Sequence, residues 1–380
     1  MSSAPALAAV IPAAGRSSRM RLKDEDRPKP LLPLGETSML GHCVATCRAA
    51  GVTEVVVVTG YRADEVAAEA ERLGARPVFN PDHERGMSGS VRTGFAALGP
   101  EADAAFLLPA DIPLVRPATL GLLLEDFAAH AAPLTQPRFR GEPGHPPLVA
   151  REVFAAILDA DLATDGSLRP TLERFAPRAR QVDTADSGVL FDLDRPEDYA
   201  ETRARAAAPG PRPEEAEALW DIYATPENIR AHCRAVAEVA GRMAGALPWL
   251  DAGLCIGAAL AHDVLRHTPR HALAGAAALR RHGFDAAAAV VADHPDLELA
   301  PDAPLTEREI VFLADKFVRG DQIVGLEQRY MAKARKFRDD PEAAAAVAAR
   351  LGRATTVLRR FEREAGPLRR ILPELAEACP

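Results

Sequence analysis

The chain has 380 residues, of which 48% are hydrophobic, and a formal net charge of −8 at pH 7. This length favours two domains over one, and the acidic balance excludes a global basic field for nucleic acid, so we expect small-molecule chemistry and no nucleic-acid partner. Five scattered cysteines without a C-x-x-C spacing, no signal-peptide pattern and no apolar stretch of membrane-spanning length predict a reduced cytoplasmic location and no membrane partner.

Short apolar runs alternate with amphipathic helical stretches over residues 1–207. This alternation predicts a three-layer α/β domain, Rossmann-like, with a mostly parallel sheet covered on both faces. The predicted strands are 8–13, 54–59, 76–80, 104–108 and 134–138. The predicted helices are 38–50, 63–73, 88–98 and 117–130. Ligands of such sheets bind at the carboxyl ends of the strands, so the loops after them are the candidate site.

The loop after the first predicted strand combines small residues with cations. Gly15 lets the backbone approach a phosphate closely, while Arg16, Arg19 and Lys29 supply positive charge and two serines supply hydroxyls. No Gly-Lys-Ser/Thr follows, so this is not a Walker A loop. The stretch predicts a nucleoside triphosphate site.

Two carboxylates are candidate ligands of a hard cation. Asp111 follows the apolar strand 104–108, and Asp194 stands just before a helix that starts near Pro196. Mg²⁺ is usually held by one or two carboxylates together with substrate phosphate oxygens. The alternatives are that Asp111 caps a turn and that Asp194 caps the helix.

Two further segments carry polar candidates. The glycines and serines of residues 80–94 precede or open a helix, where the N-terminus favours a nucleotide or another anion. The alternative is an ordinary capped helix. His145 lies in a tight loop, where it could contact substrate or simply be solvated.

Seven motifs in this order resemble the molybdenum cofactor cytidylyltransferases, within the nucleotidyltransferases of MobA-like fold. They are PAAGRSSRM at 12–20, KPLLPL at 29–34, TGY at 59–61, GMSGS at 86–90, DIP at 111–113, GHP at 144–146 and DLDRPED at 192–198. The resemblance implies transfer of CMP from CTP to the phosphate of molybdopterin cofactor, with release of pyrophosphate.

The resemblance also implies roles for individual residues. Arg19, Lys29 and Asp111 would be catalytic, with Arg19 and Lys29 on the triphosphate and with Asp111 and Asp194 on Mg²⁺. His145 would face the pterin. The nucleotide pocket would be formed by Ala13, Ala14, Gly15, Arg16, Lys29, Gly60, Gly86, Ser88 and Ser90. One departure is the long, charged segment 21–27, which separates Lys29 from the phosphate loop.

Residues 208–215, rich in proline and glycine, predict a linker, and residues 216–380 predict an all-α domain. Apolar residues there recur at spacings of three and four, as in 229–243, 254–265 and 310–318. His262-Asp263 stands within the predicted helix 258–265. An adjacent His-Asp pair inside an apolar helical face is costly unless a metal ion compensates the charge.

This pair and its surroundings resemble the HD-domain phosphohydrolase superfamily over residues 225–318. The resemblance implies one metal bound by His232, His262, Asp263 and Asp315, and a second site completed by His271 and His294. Mixed nitrogen and oxygen ligands suit Mn²⁺ or Fe, and the pair of metals would hydrolyse a phosphate ester or anhydride. His267 and His282 fit no position of this pattern and are predicted to be surface residues.

Other interpretations remain open at this stage. The basic stretch 329–338 is interpreted as a solvated helix face rather than a phosphate-recruiting surface. The acceptor of the nucleotidyl group could instead be a sugar phosphate or another phosphorylated alcohol. A non-catalytic alternative is a chaperone that binds mature cofactor and hands it to an apo-molybdoenzyme partner. The substrate of the second domain could be a nucleotide or phosphate by-product of the first reaction.

Overall fold

The computed structural model describes residues 5–16, 27–160, 168–298 and 303–377. The chain divides into two compact units, residues 1–207 and 208–380. The first is an α/β unit and the second is helical apart from one small hairpin, so the predicted fold class is confirmed.

The first unit contains ten strands and seven α-helices within the described residues. The strands are β1 Leu7–Pro12, β2 Pro33–Leu34, β3 Thr37–Ser38, β4 Glu54–Thr59, β5 Arg76–Phe79, β6 Ala104–Leu107, β7 Leu134–Phe139, β8 Glu142–Pro143, β9 Leu148–Ala150 and β10 Arg180–Asp183. The helices are α1 Met39–Ala49, α2 Ala63–Arg72, α3 Met87–Ala96, α4 Pro117–His130, α5 Arg151–Leu158, α6 Arg169–Glu173 and α7 Pro196–Ala207.

The main sheet is mixed but mostly parallel. Its order is β10-β7-β9-β6-β1-β4-β5, with β8 paired to β7. β1 pairs in parallel with both β4 and β6, whereas β9 runs antiparallel between β6 and β7. Strands β8, β9 and β10 were not predicted from the sequence. β8 and β9 have only two and three residues, too few for a readable period of two, and β10, with the sequence RQVD, has no apolar run.

The central strand β1 is buried on both faces, with four residues from Ala8 to Ile11 fully inaccessible. Helix α3 packs closely on this part of the sheet because Gly94 faces it. A Cβ at Gly94 would lie 2.2 Å from Val10 Cγ1. Because β1, β4 and β6 are parallel neighbours, their carboxyl ends lie at one edge of the sheet. The loops that follow them therefore lie together.

The second unit contains nine α-helices and the hairpin β11 Val318–Arg319 and β12 Gln322–Ile323 within the residues that the structure describes. The helices are α8 Pro213–Ile222, α9 Glu227–Ala244, α10 Ala252–Ala261, α11 His271–Arg281, α12 Asp285–Val291, α13 Glu307–Lys316, α14 Leu326–Lys336, α15 Pro341–Ala365 and α16 Glu374–Glu377. Across the described part of the chain, no helix combines the length and the apolarity needed to cross a membrane.

Two sequence predictions for this unit differ from the structure. Helix α10 ends at Ala261, so the His262-Asp263 pair lies in the turn that follows it and not inside a helix. Helix α8 begins at Pro213, within the segment 208–215 predicted as linker. Proline is tolerated in the first turn of a helix, where its missing N–H would have no intrahelical partner. Immediately before α8, Gly210 and Pro211 are buried, with Gly210 against Leu254 of α10.

Candidate functional site

A cavity of about 540 Å³ opens at the carboxyl edge of β1 in the first unit. Its walls come from the loop after β1, the Lys29–Leu31 turn of 3₁₀ helix, the start of α3 and the loop after β6. The lining residues are Pro12, Ala13, Ala14, Gly15, Arg16, Lys29, Pro30, His83, Glu84, Gly86, Met87, Ser90, Ala110 and Asp111. Eight residues predicted from the sequence to bind nucleotide or metal thus line one cavity.

Lys29 joins the two carboxylates that the sequence singled out. Its side chain is 7% exposed, and Nζ lies 3.1 Å from Asp111 Oδ2 and 3.5 Å from Asp194 Oδ1. The backbone N–H groups of Asp194 and Arg195 donate to Asp198, which caps the start of α7. Two carboxylates from distant parts of the chain therefore converge on one cation.

This pair of carboxylates fits a hard divalent cation. Asp111 and Asp194 are partly exposed, so a ligand that approaches from solvent can reach them. Both offer hard oxygen ligands: Asp111 lines the cavity, and Asp194 is linked to it through Lys29. Mg²⁺ is commonly held by one or two carboxylates and completes its coordination with waters and phosphate oxygens.

The mouth of the cavity contains an ion pair that the sequence analysis did not anticipate. Arg16 pairs with Glu84, and its guanidinium lies 5.9 Å from the centre of the Tyr61 ring. His83 packs so closely on Gly60 that a Cβ there would lie 2.5 Å from His83 Cβ. Gly60 thus supports the cavity wall without being part of the lining. His83, Glu84 and Met87 lie in the 80–94 segment, whose polar composition was the available signal.

The serines at the start of α3 differ in position. Ser90 lines the cavity, and its hydroxyl accepts a hydrogen bond of 3.0 Å from Asn80 Nδ2. Ser88 is buried in the first turn of α3 and lies outside the lining. Gly86, just before the helix, has φ of 114°, a conformation that favours glycine. Arg19, predicted to hold the triphosphate, lies outside the described residues.

His145, predicted to face the acceptor, lies near enough to Asp111 for the charge of that carboxylate to act on its ring. Its backbone N–H donates to the carbonyl of Val189 at 2.8 Å. Burial lowers the pKa of the imidazole, although the backbone of Leu107 and the charge of Asp111 oppose that change. Nδ1 is buried and makes no hydrogen bond within the described part of the chain. His145 thus carries a neutral ring with an unused polar atom near Asp111.

The second unit gathers six titratable side chains into one cluster, here called the metal cluster: His232, His262, Asp263, His271, His294 and Asp315. Asp263 lies at its centre. Its Oδ2 is 3.3 Å from His262 Nε2 and 3.8 Å from His232 Nε2. Its Oδ1 is 3.4 Å from His271 Nε2 and 3.5 Å from His294 Nε2. The carboxylate therefore faces two groups of histidines, one on each oxygen.

Three of these histidines are oriented by the backbone. The Nδ1 atoms of His232, His262 and His294 lie 2.6 to 2.8 Å from the carbonyls of Gly320, Ala259 and Val291. Such a bond fixes the ring and leaves Nε2 as the free ligand atom, which is the usual outer-shell arrangement of metal-binding histidines. All three Nε2 atoms consequently point into the cluster.

The cluster fits a divalent metal on its chemistry and on its unsatisfied atoms. His262 Nε2 and Asp263 Oδ1 are buried, yet neither makes a hydrogen bond to any described residue. Two sets of potential ligands have their atoms within 4.8 Å of one another: His232, His262 and Asp315, and His262, Asp263 and His294. Leaving such polar atoms buried without a hydrogen bond is costly, and a cation would satisfy them.

Charges within the cluster shift its pKa values in different directions. Burial lowers the pKa of His294 and His271. Burial also acts to lower the pKa of His262, but the adjacent Asp263 carboxylate and the Cys233 thiol raise it well above its ordinary value. The pKa of Asp263 is lowered because His262 outweighs the effect of burial. Without a metal, His262 and Asp263 therefore form a buried ion pair.

Two interpretations of basic residues need correction. Arg329 is not part of a solvated helix face, because its guanidinium lies 3.3 Å from Asp315 Oδ1 and is 11% exposed. His282 is not a surface residue, because it is 2% exposed and stacks edge-on against Tyr223. Helical periodicity over 329–338 could not show that the first arginine turns inward.

The chain matches two known domain families. Residues 9–181 match the MobA-like NTP transferase domain, and residues 229–320 match the HD domain. HD domains bind divalent metals. The bifunctional protein GlmU of Xanthobacter autotrophicus is 40% identical over 127 residues, which are 33% of this chain and 28% of that protein. The chain thus spans less than a third of the length of this curated relative.

Solved structures resemble the fold over about half of the chain. A nucleotidyl transferase from Methanothermobacter thermautotrophicus has 28% identity and a TM-score of 0.46, over 53% of this chain and 97% of that one. Rv0371c of Mycobacterium tuberculosis, in complex with manganese, has 27% identity and a TM-score of 0.43, over 53% of this chain and all of that one.

Proposed function

We propose that the first unit of this chain, in which a MobA-like NTP transferase domain precedes an HD domain, is a nucleotidyltransferase. It would transfer CMP from CTP to the phosphate of molybdopterin cofactor. The observation that carries the proposal is the convergence of Asp111 and Asp194 on Lys29, beside the cavity that Gly15 and Arg16 line. The choice of CTP and molybdopterin rests on the resemblance of the seven sequence motifs.

The reaction needs positioning and charge neutralisation more than a protein nucleophile. An oxygen of the acceptor phosphate attacks the α-phosphorus of CTP in line, the new P–O bond forms, and the bond to the β-phosphate breaks to release pyrophosphate. The Lys29 ammonium and Arg16 supply positive charge to the triphosphate. Asp111 and Asp194 would hold Mg²⁺, which would supply positive charge to stabilise the negative charge that develops on the phosphates.

The acceptor would bind on the side of His145. Because burial keeps this imidazole neutral, its free ring nitrogen can donate to or accept from a polar group of the acceptor without adding charge. Position 144 has no room for a side chain, since a Cβ on Gly144 would lie 2.6 Å from the Val189 carbonyl oxygen. The loop that presents His145 is therefore held close to the backbone at Val189.

A substrate panel tests this proposal. The full-length chain is incubated with Mg²⁺ and each of CTP, GTP, ATP and UTP, with molybdopterin cofactor, with a sugar phosphate or with no acceptor. Release of pyrophosphate that requires both CTP and the pterin is the expected result. Release with a sugar phosphate in place of the pterin would favour the alternative acceptor. Tight pterin binding without pyrophosphate release under any combination would favour the chaperone.

We propose that the second unit is a metal-dependent phosphohydrolase. His262 Nε2 and Asp263 Oδ1, which are buried and make no hydrogen bond to a described residue, and the inward-facing Nε2 atoms support a centre for Mn²⁺ or Fe. His232, His262, Asp263 and Asp315 would hold one ion, and His271 and His294 would complete a second site with Asp263. Such metals supply a hydroxide at neutral pH for attack on a phosphate ester or anhydride.

Hydrolysis assays test the second proposal independently of the first. Full-length chain loaded with Mn²⁺ is assayed with pyrophosphate, nucleoside mono-, di- and triphosphates and cyclic nucleotides. Phosphate release that disappears in Asp263→Asn, while the nucleotidyltransferase assay is unchanged, is expected. No hydrolysis of any of these substrates by a chain that holds Mn²⁺ would contradict a phosphohydrolase of this substrate range.

A further inference from the structure

Asp315 is surrounded by cations although it belongs to the metal cluster. Lys316 Nζ lies 2.7 Å from its Oδ2, and Arg329 Nη2 lies 3.3 Å from its Oδ1. His232 Nε2 is 3.2 Å from the same Oδ1. A metal ligand that already carries two full cationic partners is unusual on electrostatic grounds alone, because both partners compete with the metal for its charge.

Lys316 also reaches the other side of the cluster. Its Nζ donates to the backbone carbonyl of His294 at 3.3 Å and lies 4.6 Å from the centre of the Phe312 ring. The residue is 5% exposed. One ammonium is thus bonded both to the Asp315 carboxylate, which contacts His232, and to the turn that carries His294. A buried ammonium held in this way keeps both partners in fixed positions.

We propose that Lys316 is a positioning residue that couples the two halves of the metal cluster, holding the Asp315 carboxylate and the His294 turn in fixed positions relative to each other. Arg329 assists on the Asp315 side only. Outer-shell partners of this kind typically contribute 10- to 100-fold to metal affinity. The inference rests on the metal centre proposed above.

A competing role for Lys316 predicts the opposite change in Mn²⁺ affinity. If the ammonium acted only as a counter-charge, its removal would leave the cluster more negative and Mn²⁺ would bind more tightly. If it acts by position, its removal frees the carboxylate and the turn, and Mn²⁺ binds more weakly. The direction of the change in affinity therefore distinguishes the two roles.

The experiment is a Mn²⁺ titration by calorimetry of the full-length chain and of Lys316→Met, Lys316→Arg, Arg329→Met and Arg242→Met. Arg242 is the matched control, because it lies in α9 with His232 and loses bonds to Glu374 and Ile371 that do not touch the cluster. We expect Lys316→Met to weaken Mn²⁺ binding at both sites about 10- to 100-fold. Lys316→Arg should recover most of the lost affinity, and Arg242→Met should bind Mn²⁺ as tightly as the parent chain does.

Each other outcome has a defined meaning. Equal or tighter Mn²⁺ binding by a folded Lys316→Met overturns the proposal, whereas a parent chain that binds no Mn²⁺ overturns this proposal and the metal centre together. If Lys316→Met does not fold, Arg329→Met tests the proposal instead. This variant is expected to weaken the binding of one Mn²⁺ per chain and to leave the binding of the other unchanged. Unchanged binding of both ions by that variant also overturns the proposal.

Discussion

Lys29 occupies the space between Asp111 and Asp194 where a divalent cation would have to enter. Because its side chain is 7% exposed and both carboxylates contact Nζ, the ammonium keeps the two carboxylates together when no metal is bound. We expect the ammonium to move toward the phosphates when Mg²⁺ arrives with the nucleotide. The same lysine would then serve the empty and the loaded site in two different positions.

Asp111→Asn tests the role of this carboxylate. It retains the shape of the side chain but loses the charge, and Lys29 keeps Asp194 as a partner, so the fold should survive. We expect the rate of Mg²⁺-dependent pyrophosphate release to fall about 100-fold. Asp82→Asn is the control, because Asp82 is 62% exposed and forms a surface ion pair with Arg85. Equal rates for both variants would contradict a metal-binding role.

Metal binding to the second unit should depend on pH through His262. Its raised pKa keeps the ring protonated near pH 7 in the metal-free chain, while His294, with its lowered pKa, is neutral. A metal can bind only the deprotonated ring, so binding must displace that proton. We expect release of about one proton per chain near pH 7 as the ion that His262 holds is bound, and an affinity for that ion that rises about tenfold per pH unit until the pKa of His262 is passed.

Calorimetry in buffers of different ionisation enthalpy measures this proton directly. Asp263→Asn removes the charge that raises the pKa of His262 and serves as the control, because the remaining binding should release less of a proton. Binding by the parent chain that is independent of pH between 6 and 8 would contradict the protonated state of His262.

At the scale of elements, the sequence predicted the strands and helices that carry strong patterns and missed those defined by tertiary context. β1 and β4 are continuous apolar runs and were recognisable from composition alone. β9 was not, because three residues after two prolines carry no period and become a strand only by pairing with β6 and β7. Likewise, the order of histidines predicted a shared metal site, and the structure brings those side chains together, but no spacing could show that Arg329 and Lys316 turn toward Asp315.

The segment that leads into α4 depends on one buried carboxylate, Asp186. It is inaccessible, and it accepts bonds from Arg116 Nη1 at 2.8 Å and from the Thr119 hydroxyl at 2.7 Å. Its Oδ1 also accepts from the backbone N–H of Gly188 at 3.0 Å. The bonds tie the Ser187–Leu190 turn, whose Val189 carbonyl supports His145, to the start of α4.

Asp186→Ala should therefore destabilise the first unit strongly. Breaking a buried ion pair leaves its partners unsatisfied and typically costs about 3–5 kcal/mol. Asp183→Ala is the matched control. It breaks a pair with Arg138 whose members are 47% and 35% exposed, which should cost no more than about 1 kcal/mol. Urea denaturation of both variants measures the difference. Similar free energies of unfolding for both would contradict the structural role of Asp186.

The two compact units of the chain should unfold as separate transitions. Excess Mn²⁺ should stabilise only the second unit. Its free energy of unfolding should rise by about 2.7 kcal/mol at a free Mn²⁺ concentration 100 times the Kd. The cation site of the first unit would be completed by phosphate oxygens of the nucleotide. In an experiment without nucleotide, the unfolding transition of the first unit should therefore not shift. Differential scanning calorimetry with Mn²⁺ and with EDTA measures both transitions, and Asp263→Asn should reduce the shift at the same Mn²⁺ concentration. A single transition that moves as a whole would contradict independent units.

The burial of Gly210 and Pro211 decides where such a fusion can be divided. Gly257 of α10 has no room for a side chain, since a Cβ would lie 2.2 Å from the Pro211 carbonyl oxygen. The short stretch ahead of α8 therefore covers α10 and is an inseparable part of the helical half. A recombination event, or a designed chimera, that joined a foreign module directly to Pro213 would uncover apolar surface. The viable breakpoint lies after Ala207.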